Sequence, residues 1–599
     1  MDILNTYRQR AEAAQAAILK YEKLVNNYSL LRLVVFALVV VAIYLSVKTI
    51  GFGLLVILFI VLMFCFARLV SRQSFFQERK NYFTALKTVI ENEMGSIANG
   101  SNLYDDGSSR ANEKHFYVSD LDIFGKGSLF QLINRAATSY GKGLLSAWLL
   151  APSDKATILK RQESVKELTF RNHWKLDFQA KLLFANKADS GGLDTLFSYL
   201  RLPLVLDGEA LVRRYITFAP FLLTAAIVTS LFYSIAWLAV IALGILNMSI
   251  LTAKAGFIVK SGSIAGKVGS ILSGYTHVFK TIEDDEWSSE HCREMAAQLR
   301  NAGAFEKAGE LARLINKLDY NTIMIIGFIL NIFFLWALKQ VIAIEDWKRR
   351  NHQDLEAAVK IAAEFEALIS ISSLKINYPE WCFPEIADGE GYTLITRDIA
   401  HPLIGRDNRI ANDYQLDEAF KIDIITGSNM AGKSTFLRTI GINTVLALCG
   451  APVCAAEMKV SVVTIITYMR IKDSLNESTS TFKAELDRLQ MLLTAVDTES
   501  KVFFLIDEML RGTNSVDKYR GSKAVIEQLI HKRGVGMVAT HDLQIADLEK
   551  RYPDYVRNFY FDIQVKDGEM LFDYKIKPGE CKTFNASLLL KQIGIEVKD

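Results

Sequence analysis

The chain has 599 residues and a formal net charge of +3 at pH 7, since 69 Lys and Arg oppose 66 Asp and Glu. This near balance does not give the strong positive field that a nucleic-acid-binding surface usually carries. Half of the residues are hydrophobic and the mean hydropathy is +0.17, which exceeds what a soluble globular protein usually needs, so part of the chain is predicted to face lipid.

The six cysteines show no C-x-x-C pair and no even ladder of spacings. They are Cys65, Cys292, Cys382, Cys449, Cys454 and Cys581. This scatter predicts free thiols in a reducing cytosol, and it does not suggest a zinc site.

The first predicted elements are a cytosolic helix over residues 1–29 and a transmembrane hairpin over residues 30–69. The first stretch is charged and helix-patterned, and the apolar run after it is too long for a cleaved signal peptide. Within the hairpin, Leu30–Val47 and Gly51–Leu69 are almost wholly apolar and are charged only near their ends. Each is close to the roughly 20 residues that cross about 30 Å of hydrocarbon.

Residues 70–115 are predicted to form a helical linker followed by a flexible loop. Phe75–Ile97 is helix-patterned, whereas Asn99–His115 is rich in Gly, Ser, Asn and Asp and has no apolar periodicity. A helical core domain is predicted to follow, in two parts, over residues 116–214 and 253–386.

A second transmembrane hairpin is predicted over residues 215–252, between the two parts of the core. Its apolar run, Ile216–Leu251, is long enough for two helices with a break near Tyr233 and Ser234. Basic residues bracket both hairpins, and by the positive-inside bias this puts the ends of both hairpins in the cytosol. The bracketing residues are Lys20, Lys23, Arg32, Arg68, Arg72, Arg79, Lys80, Arg213, Arg214, Lys254 and Lys260.

A fifth apolar run, Thr322–Val341, carries Asn331 in its middle. A true span here would make the number of spans odd and would put the C-terminal domain outside the cell, where there is little ATP. We therefore expect a buried or membrane-grazing helix. For all these apolar runs, the alternative to membrane spans is an unusually apolar helical core.

The segment Gly427–Ser434 fits the phosphate-binding pattern G-x-x-x-x-G-K-[ST], with an Ile-rich run before it and a helical pattern after it. Backbone N–H groups would face the phosphates, Lys433 would reach the β- and γ-phosphates, and Ser434 would offer a hydroxyl to Mg²⁺. The nucleotide-binding residues predicted here are Gly427, Ser428, Asn429, Met430, Ala431, Gly432, Lys433, Ser434 and Thr435.

Two apolar runs downstream read as buried strands that end in chemically active residues. Val502–Ile506 is followed by Asp507, a predicted Mg²⁺ ligand, and by Glu508, predicted to polarise the attacking water. The run GVGMVAT is followed by His541, predicted to sense the γ-phosphate or the water. Because parallel strands share one carboxyl edge, Glu508, His541 and Lys433 are expected to meet there as catalytic residues.

These motifs together resemble the MutS family of ATPases, which are relatives of the ABC class. The family's TGPNMGGKST is similar to Thr426–Thr435 here, its DEIGRGTST to Asp507–Ser515 and its ATH to Ala539–His541. Its RHP and PND elements resemble His401-Pro402 and Asn412-Asp413. The resemblance implies that His401 and Asn412 also belong to the nucleotide site.

The run STSTFKAEL is similar to the family's signature segment STFMVEM. It contains Ser480, Thr481, Phe482 and Glu485. In this family the segment meets the γ-phosphate of the opposite subunit, so the resemblance implies that Ser480 contributes to nucleotide binding across a homodimer of ATPase domains.

Upstream of the ATPase motifs, some segments of this chain resemble the MutS family and others depart from it. Gly127–Leu168 resembles the family's helical core and Glu364–Ile386 resembles the end of that core, which leaves residues 387–599 as the ATPase domain. The family's N-terminal mismatch-recognition domain, its DNA-gripping clamp and its C-terminal dimerisation helices are not expected here. The second hairpin takes the place of the clamp, and Phe76-Gln77-Glu78, which spells the mismatch wedge, lies on a juxtamembrane helical run.

The sequence thus predicts a multi-domain membrane protein. It would have two α-helical transmembrane hairpins, an all-α MutS-like core and a C-terminal α/β P-loop ATPase domain of the ABC type. We expect a multi-pass protein of the plasma (inner) membrane with its ATPase domain in the cytosol. ATP and Mg²⁺ would bind at the dimer interface, and hydrolysis would be coupled to conformational change.

Three classes of function remain open at this stage. The first is an energy-transducing membrane ATPase with an unknown partner, and the second is a DNA-binding repair protein tethered to the membrane. The third, a transporter, is disfavoured because the spans contain almost no charge, whereas pathways for polar solutes usually need some. DNA binding is weakened because both regions that customarily contact DNA are missing from the predicted organisation.

Overall fold

A computed structural model describes residues 3–49, 52–186, 191–202, 205–230, 232–262, 267–322, 324–351, 354–428, 431–470, 481–566 and 569–581. The chain forms two compact units. The first is built from residues 1–94, 137–141 and 173–366, and the second from residues 95–136, 142–172 and 367–599. Residues 116–136 and 142–172, predicted to begin the helical core, therefore belong to the unit that contains the predicted ATPase domain.

The first unit is helical throughout its described residues. The helices that lie mainly in it are Ile3–Thr49, Phe52–Asn99, Asn172–Leu182, Gly191–Arg201, Glu209–Ser230, Trp237–Ala253, Ala255–Gly262, Lys267–Glu283, Glu290–Ala302, Ala304–Asp319, Met324–Phe334, Trp336–Asn351 and Asp354–Asn377. Single 3-10 turns occur at Leu183–Asn186, Ser234–Ala236 and Tyr320–Thr322.

The helices Ile3–Thr49 and Phe52–Asn99 pair as a long antiparallel hairpin. Tyr21 stacks on Phe83 with the ring centroids 5.6 Å apart, and Tyr28 packs on Phe76 at 5.2 Å. With 47 and 48 residues, both helices far exceed the roughly 20 residues that a bilayer requires. The predicted cytosolic helix and the first predicted span are thus one continuous helix, and Phe76 of the Phe-Gln-Glu triplet is used in pairing the two helices.

Three helical stretches in the described part of the chain are long and apolar enough to cross a bilayer, judged by length and composition. They are Ile3–Val41, Glu209–Ser230 and Ser234–Ala253, each of which contains a strongly apolar run of 18 residues. Large apolar side chains point outward from them, among them Phe36, Phe221 and Leu238, which are 59%, 72% and 66% exposed. Exposed apolar surface of this extent is typical of a lipid or protein contact.

The amide side chain of the second hairpin, Asn247, lies inside the helical packing. Asn247 is buried; its side chain accepts a hydrogen bond from the Tyr215 hydroxyl at 2.6 Å and donates to the Ile332 carbonyl at 2.5 Å. Apolar side chains outside and satisfied polar groups inside are the distribution that a hydrocarbon environment requires.

The fifth apolar run is not one helix, which corrects the expectation of a single helix over Thr322–Val341. It breaks at Leu335, whose φ is 44°, and the segments before and after the break are bent by 77°. The Asn331 side chain accepts a hydrogen bond from the Ala337 amide at 2.9 Å, so a side chain replaces a backbone partner lost at the break. The bend fits a broken span or a re-entrant loop, and a membrane-grazing position stays a prediction.

The stretch Asn99–His115, predicted to be a flexible loop, packs into the second unit. Tyr104 is only 4% exposed, and the Asn102 side chain donates to the carbonyls of Gln131 and Asn134 at 2.6 and 2.9 Å. The polar residues that suggested mobility instead satisfy backbone groups of tight turns. A polar segment without apolar periodicity can therefore be either a packed series of turns or a flexible linker, and its composition does not distinguish the two.

The second unit contains two sheets. Its strands are β1 (Glu385–Ala387), β2 (Tyr392–Ile399), β3 (Asn412–Ala419), β4 (Ile422–Thr426), β5 (Glu457–Ser461), β6 (Thr464–Tyr468), β7 (Val502–Asp507), β8 (Val535–Thr540), β9 (Val556–Lys566) and β10 (Glu569–Pro578). One sheet has the order β1-β5-β2-β3 and the other β10-β9-β4-β8-β7-β6. In the larger sheet all neighbours are parallel except β9 and β10, so the predicted parallel sheet is observed.

Helices cover the larger sheet because its central strands are apolar on both faces. Every residue of β4, β7 and β8 is buried, and Phe504 and Val538 share a core with Leu492 and Ile526 of the covering helices. The helices and turns lying mainly in this unit are Ser108–Arg110, Leu129–Ile133, Ser139–Leu150, Lys155–Phe170, Lys433–Cys449, Thr481–Thr498, Ser515–His531, Leu543–Asp547 and Leu548–Arg551.

Candidate nucleotide site

Three adjacent parallel strands end at one edge of the larger sheet. Strand β8 lies between β4 and β7, with Thr426 opposite Thr540 and Asp507 opposite Ala539. The residues that follow these strand ends are Gly427, Glu508 and His541. The register therefore brings the phosphate loop, the acidic pair and the histidine to the same edge, as the sequence predicted.

The phosphate loop depends on two glycines. Gly427 has a φ of 140° and Gly432 a φ of 107°, and a Cβ on Gly427 would lie 2.8 Å from the Phe561 carbonyl oxygen. Gly432 is the residue immediately before the helix Lys433–Cys449, whose first-turn N–H groups and dipole favour an anion. Asn429 and Met430, two of the predicted loop residues, lie outside the described part of the chain.

The Lys433 ammonium is folded back into the loop. Its Nζ donates to the carbonyls of Gly427 and Ser428, both at 2.8 Å, and its side chain is almost wholly buried. Burial lowers the pKa of Lys433, while the charges of Glu508 and Asp507 act in the opposite direction. A buried cation inside a ring of backbone groups is a site that a phosphate would neutralise.

The acidic pair differs in environment. Asp507 is 5% exposed at the end of β7, whereas Glu508 adopts a left-handed backbone conformation with a φ of 55°. Glu508 Oε1 lies 3.1 Å from His541 Nδ1, and Oε2 lies 3.5 Å from Arg511 Nε. Burial raises the pKa of Glu508, but its contacts with His541, Arg511 and Lys518 outweigh burial and lower it, so the carboxylate is ionised at neutral pH.

Lys518 was not predicted from the sequence. It lies on the helix Ser515–His531, one turn after its start, and its Nζ is 3.5 Å from His541 Nε2. An ammonium can only donate, so this contact favours a histidine whose Nε2 accepts and whose Nδ1 carries the proton towards Glu508. No motif marks Lys518, because only the packing of its helix against β8 brings it to the histidine.

The three residues that the family resemblance adds to the site, His401, Asn412 and Ser480, have different surroundings. His401 follows β2; burial, helped by the charge of Arg438, lowers its pKa to about 4, which leaves the ring neutral at physiological pH. The Asn412 amide donates to the Tyr574 carbonyl at 3.1 Å and accepts from the Ile576 amide at 2.9 Å. The hydrogen bonds described for the Asn412 side chain therefore link β3 to the backbone of β10. Ser480 lies outside the described residues.

Tyr574 brings an aromatic ring to the phosphate loop. Its Cδ1 lies 3.1 Å from the position that a Cβ on Gly432 would take, and the side chain is 42% exposed. The residue occupies an irregularity in the pairing of β9 with β10 and has a φ of 51°. Tyr574 could not be predicted from the sequence, since it lies about 140 positions after the loop and in no motif.

Asp120 and Arg488 hold the residues that flank the segment 471–480, which itself lies outside the described residues. Asp120 is buried and accepts hydrogen bonds from the Arg470 amide at 2.9 Å and the Thr467 hydroxyl at 2.6 Å. The Arg488 guanidinium donates to the carbonyls of Thr467, His115 and Phe116. The residues before and after the predicted signature segment are therefore bound to a turn contributed by residues 115–122.

The side chains at the sheet edge suit ATP and Mg²⁺. Ser434 and Asp507 offer a hydroxyl and a carboxylate, the hard oxygen donors that Mg²⁺ prefers, and the loop offers backbone N–H groups and a buried ammonium to phosphate. Within the described residues there is no cluster of three His, Cys, Asp or Glu side chains arranged to hold a metal ion.

Two segments of the chain match known family models. Residues 423–592 match the family model described as MutS domain V, and residues 115–196 match MutS domain III. The "DNA mismatch repair protein MutS" of Aquifex pyrophilus is 34% identical over 207 residues, which are 34% of this chain and 24% of that protein. The protein of the same name from Caldicellulosiruptor bescii is 31% identical over 242 residues, 39% of this chain and 27% of that protein.

A third protein of that name, from Thermotoga petrophila, is 30% identical over 227 residues, 37% of this chain and 28% of that protein. This chain thus spans about a quarter of the length of the curated relatives it matches. The match over residues 423–592 includes the phosphate loop, and the match over residues 115–196 includes Gly127–Leu168, which resembles the family's helical core.

Gly432→Ala tests whether the loop geometry serves nucleotide binding. Alanine at a φ of 107°, with its Cβ 3.1 Å from the Tyr574 ring, would carry strain of about 1–3 kcal/mol. We expect the affinity for a fluorescent ATP analogue, measured by equilibrium titration, to fall by about tenfold or more. Gly143→Ala is the matched control, because no atom lies within 4 Å of its Cβ position. Binding of G432A within twofold of the natural chain would contradict this account.

Proposed function

We propose, on the premise that the chain belongs to the MutS family, that it is a membrane-anchored ATPase that hydrolyses ATP at the interface of two copies of itself. The observation that carries the proposal is the convergence of Lys433, Glu508 and His541 at the edge formed by β4, β7 and β8. This edge combines an anion cradle with an ionised carboxylate, which are the parts that phosphoanhydride hydrolysis needs.

In the proposed mechanism each residue has a defined task. The loop amides and Lys433 bind the β- and γ-phosphates, and the ammonium exchanges its two carbonyl contacts for phosphate oxygens. Glu508 accepts a proton from water as the water oxygen bonds to the γ-phosphorus. The bond from that phosphorus to the bridging oxygen breaks, and the products are ADP and inorganic phosphate.

His541 and Arg511 keep Glu508 ready for this step. The histidine Nδ1 lies 3.1 Å from the carboxylate and orients it, and the neighbouring guanidinium favours its ionised form. Ser434 and Asp507 would hold Mg²⁺, which supplies positive charge to the phosphate oxygens when it is bound.

The proposed partner is a second copy of the chain. The helix Thr481–Thr498 begins directly after Ser480, within the run that resembles the family's signature, and in the family this segment completes the ATP site of the opposite subunit. ATP would then favour the closed pair and hydrolysis would release it, which couples chemistry to a conformational change.

Anchoring in the bilayer is supported by the surface chemistry of the first unit. Three described helices meet the length and composition required of a span, and their outward side chains are apolar. The buried Asn247 with its satisfied hydrogen bonds adds to this support. With the basic residues at both hairpins, these features support a position in the plasma (inner) membrane with the ATPase domain in the cytosol.

A second candidate function is DNA binding at the membrane. The relatives are named DNA mismatch repair proteins, and this favours a nucleic-acid partner. The described part of the chain offers less support, because Phe76 packs inside a helical hairpin and a bundle of apolar helices follows residue 209.

Lys433→Ala and Glu508→Gln should both abolish ATP turnover, by about 100-fold or more. Lys433→Ala should also lose ATP binding, whereas Glu508→Gln should bind ATP and accumulate as a dimer, measured by size-exclusion chromatography with light scattering. Glu499→Gln, at an exposed position, is the matched control and should leave turnover unchanged. Hydrolysis by the Glu508→Gln variant at the natural rate would show that the base is misassigned.

Membrane anchoring predicts that the protein stays in the pellet after extraction of membranes with alkaline carbonate. Protease added outside intact cells should leave the C-terminal unit uncut, and the same protease should cut it in inverted vesicles. Release of the protein by carbonate, or cleavage near Gly427 in intact cells, would refute the proposed topology.

DNA binding is decided by a salt series with mismatched and perfect duplexes. We expect no measurable binding at 25 °C even at about 20 mM salt, since neither the wedge nor the clamp of the family is predicted here. Binding that weakens steeply with salt would favour the second candidate, and a preference for the mismatch would identify a repair function.

A further inference from the structure

The turn that carries Glu508 is strained and must be held by its surroundings. Glu508 and Leu510 both have a φ of 55°, in a segment that contains no glycine before Gly512. Such conformations are unfavourable for residues other than glycine, so the turn persists only where other contacts determine it.

Hydrogen bonds from other elements fix the backbone of this turn. The Glu508 amide donates to the Ala539 carbonyl at 3.0 Å, and the Leu510 amide donates to the Tyr468 hydroxyl at 3.3 Å. The next two amides, those of Arg511 and Gly512, donate to the two carboxylate oxygens of Glu485 at 3.1 and 3.4 Å. Four of the five residues from 508 to 512 are therefore held through their backbone.

Glu485 is buried in a position where its carboxylate bonds the backbone of this turn. It lies on the first turns of the helix Thr481–Thr498 and is 3% exposed. Tyr468 completes the arrangement, because its hydroxyl accepts the hydrogen bond from the Leu510 amide; burial, with the nearby charge of Glu485, raises the pKa of this phenol and keeps it protonated. Gly512 also packs against Phe482 of the same helix, where its missing Cβ would lie 3.3 Å from the Phe482 Cβ.

We propose that Glu485 is a positioning residue for Glu508, and that the signature helix thereby sets the geometry of the catalytic carboxylate in its own chain. The carboxylate accepts from two successive amides, so it orients the turn and with it the Glu508 side chain against His541. The inference rests on the proposed function, since it takes Glu508 as the base.

A carboxylate is needed because two N–H groups point at it. Glutamine would accept from one amide and would turn its own N–H₂ group towards the other, and alanine would accept from neither. The same helix begins directly after Ser480, the residue predicted to contribute to the nucleotide site of the opposite subunit. One helix would therefore serve two nucleotide sites, its own through Glu485 and the partner's through Ser480 at its start.

Single variants separate catalysis from binding and folding. For Glu485→Gln and Glu485→Ala, we expect single-turnover hydrolysis to slow by about 10-fold and 100-fold. ATP affinity should stay within about threefold, and the melting temperature should drop by only a few degrees. Asp487→Asn, at an exposed position on the same helix, is the control and should retain the natural rate. Unchanged hydrolysis by folded Glu485→Ala protein would overturn the proposal.

Mixed dimers distinguish an effect on the same chain from one on the partner. A dimer of one Glu485→Ala chain and one Lys433→Ala chain, purified through two different tags, has a single site able to bind ATP. That site combines the altered Glu508 turn with an intact signature segment from the Lys433→Ala chain. The proposal expects this dimer to be inactive, whereas activity near that of the control would show that Glu485 acts only across the interface.

The control is a dimer of one natural chain and one Lys433→Ala chain. If it hydrolyses ATP at about half the natural rate, the mixed-dimer result bears on Glu485 alone. If the natural homodimer has no ATPase activity, the proposed function has failed and the role of Glu485 fails with it. The two failures are therefore distinguishable in one experiment.

Discussion

The candidate site depends on the parallel pairing of β4, β8 and β7. A shift of one residue between any two of these strands would reverse the faces of every side chain that follows. The pairing is constrained because every residue of the three strands is buried, so no alternative register could expose part of a strand without cost. Asp423, the one charged residue within β4, strengthens the constraint, because Arg557 of β9 binds it with two hydrogen bonds of 2.8 and 2.7 Å. A fixed register is what allows residues some 110 positions apart to act at one edge.

The two units distribute apolar and polar side chains in opposite ways, for the same physical reason. In the second unit the apolar strands are buried and the chemistry lies at their polar ends. In the first unit, large apolar side chains face outward and polar side chains such as Asn247 and Asn331 bond backbone groups inside. Both arrangements follow from the cost of leaving a polar group without a partner away from water. The bend at Leu335 is tolerated for this reason, since side-chain amides bond a carbonyl and an N–H group near it.

Much of this fold could be predicted from the sequence where the signal is local. The long apolar runs, the strand ahead of the phosphate loop and the apolar run before Asp507 each extend over neighbouring residues, and the structure contains the elements they predict. The packing of Asn99–His115 and the break at Leu335 could not be predicted, because both depend on partners far away in the chain. Lys518 and Tyr574 were missed for the same reason, since they reach the site through tertiary packing and no motif marks them. Glu485 lies in the run that resembles the family's signature, but its role in holding the Glu508 turn depends on the same long-range packing.

The length of the first hairpin has a mechanical consequence. Its helices run for 47 and 48 residues, or about 70 Å each at 1.5 Å per residue, whereas the hydrocarbon of a bilayer is about 30 Å thick. In the proposed membrane arrangement roughly 40 Å of paired helix would stand clear of the hydrocarbon, held together by aromatic contacts such as that of Tyr21 with Phe83. Two antiparallel helices paired in this way resist bending far better than one. The projecting portion would then act as a strut, and a small tilt inside the lipid would become a larger displacement at its far end.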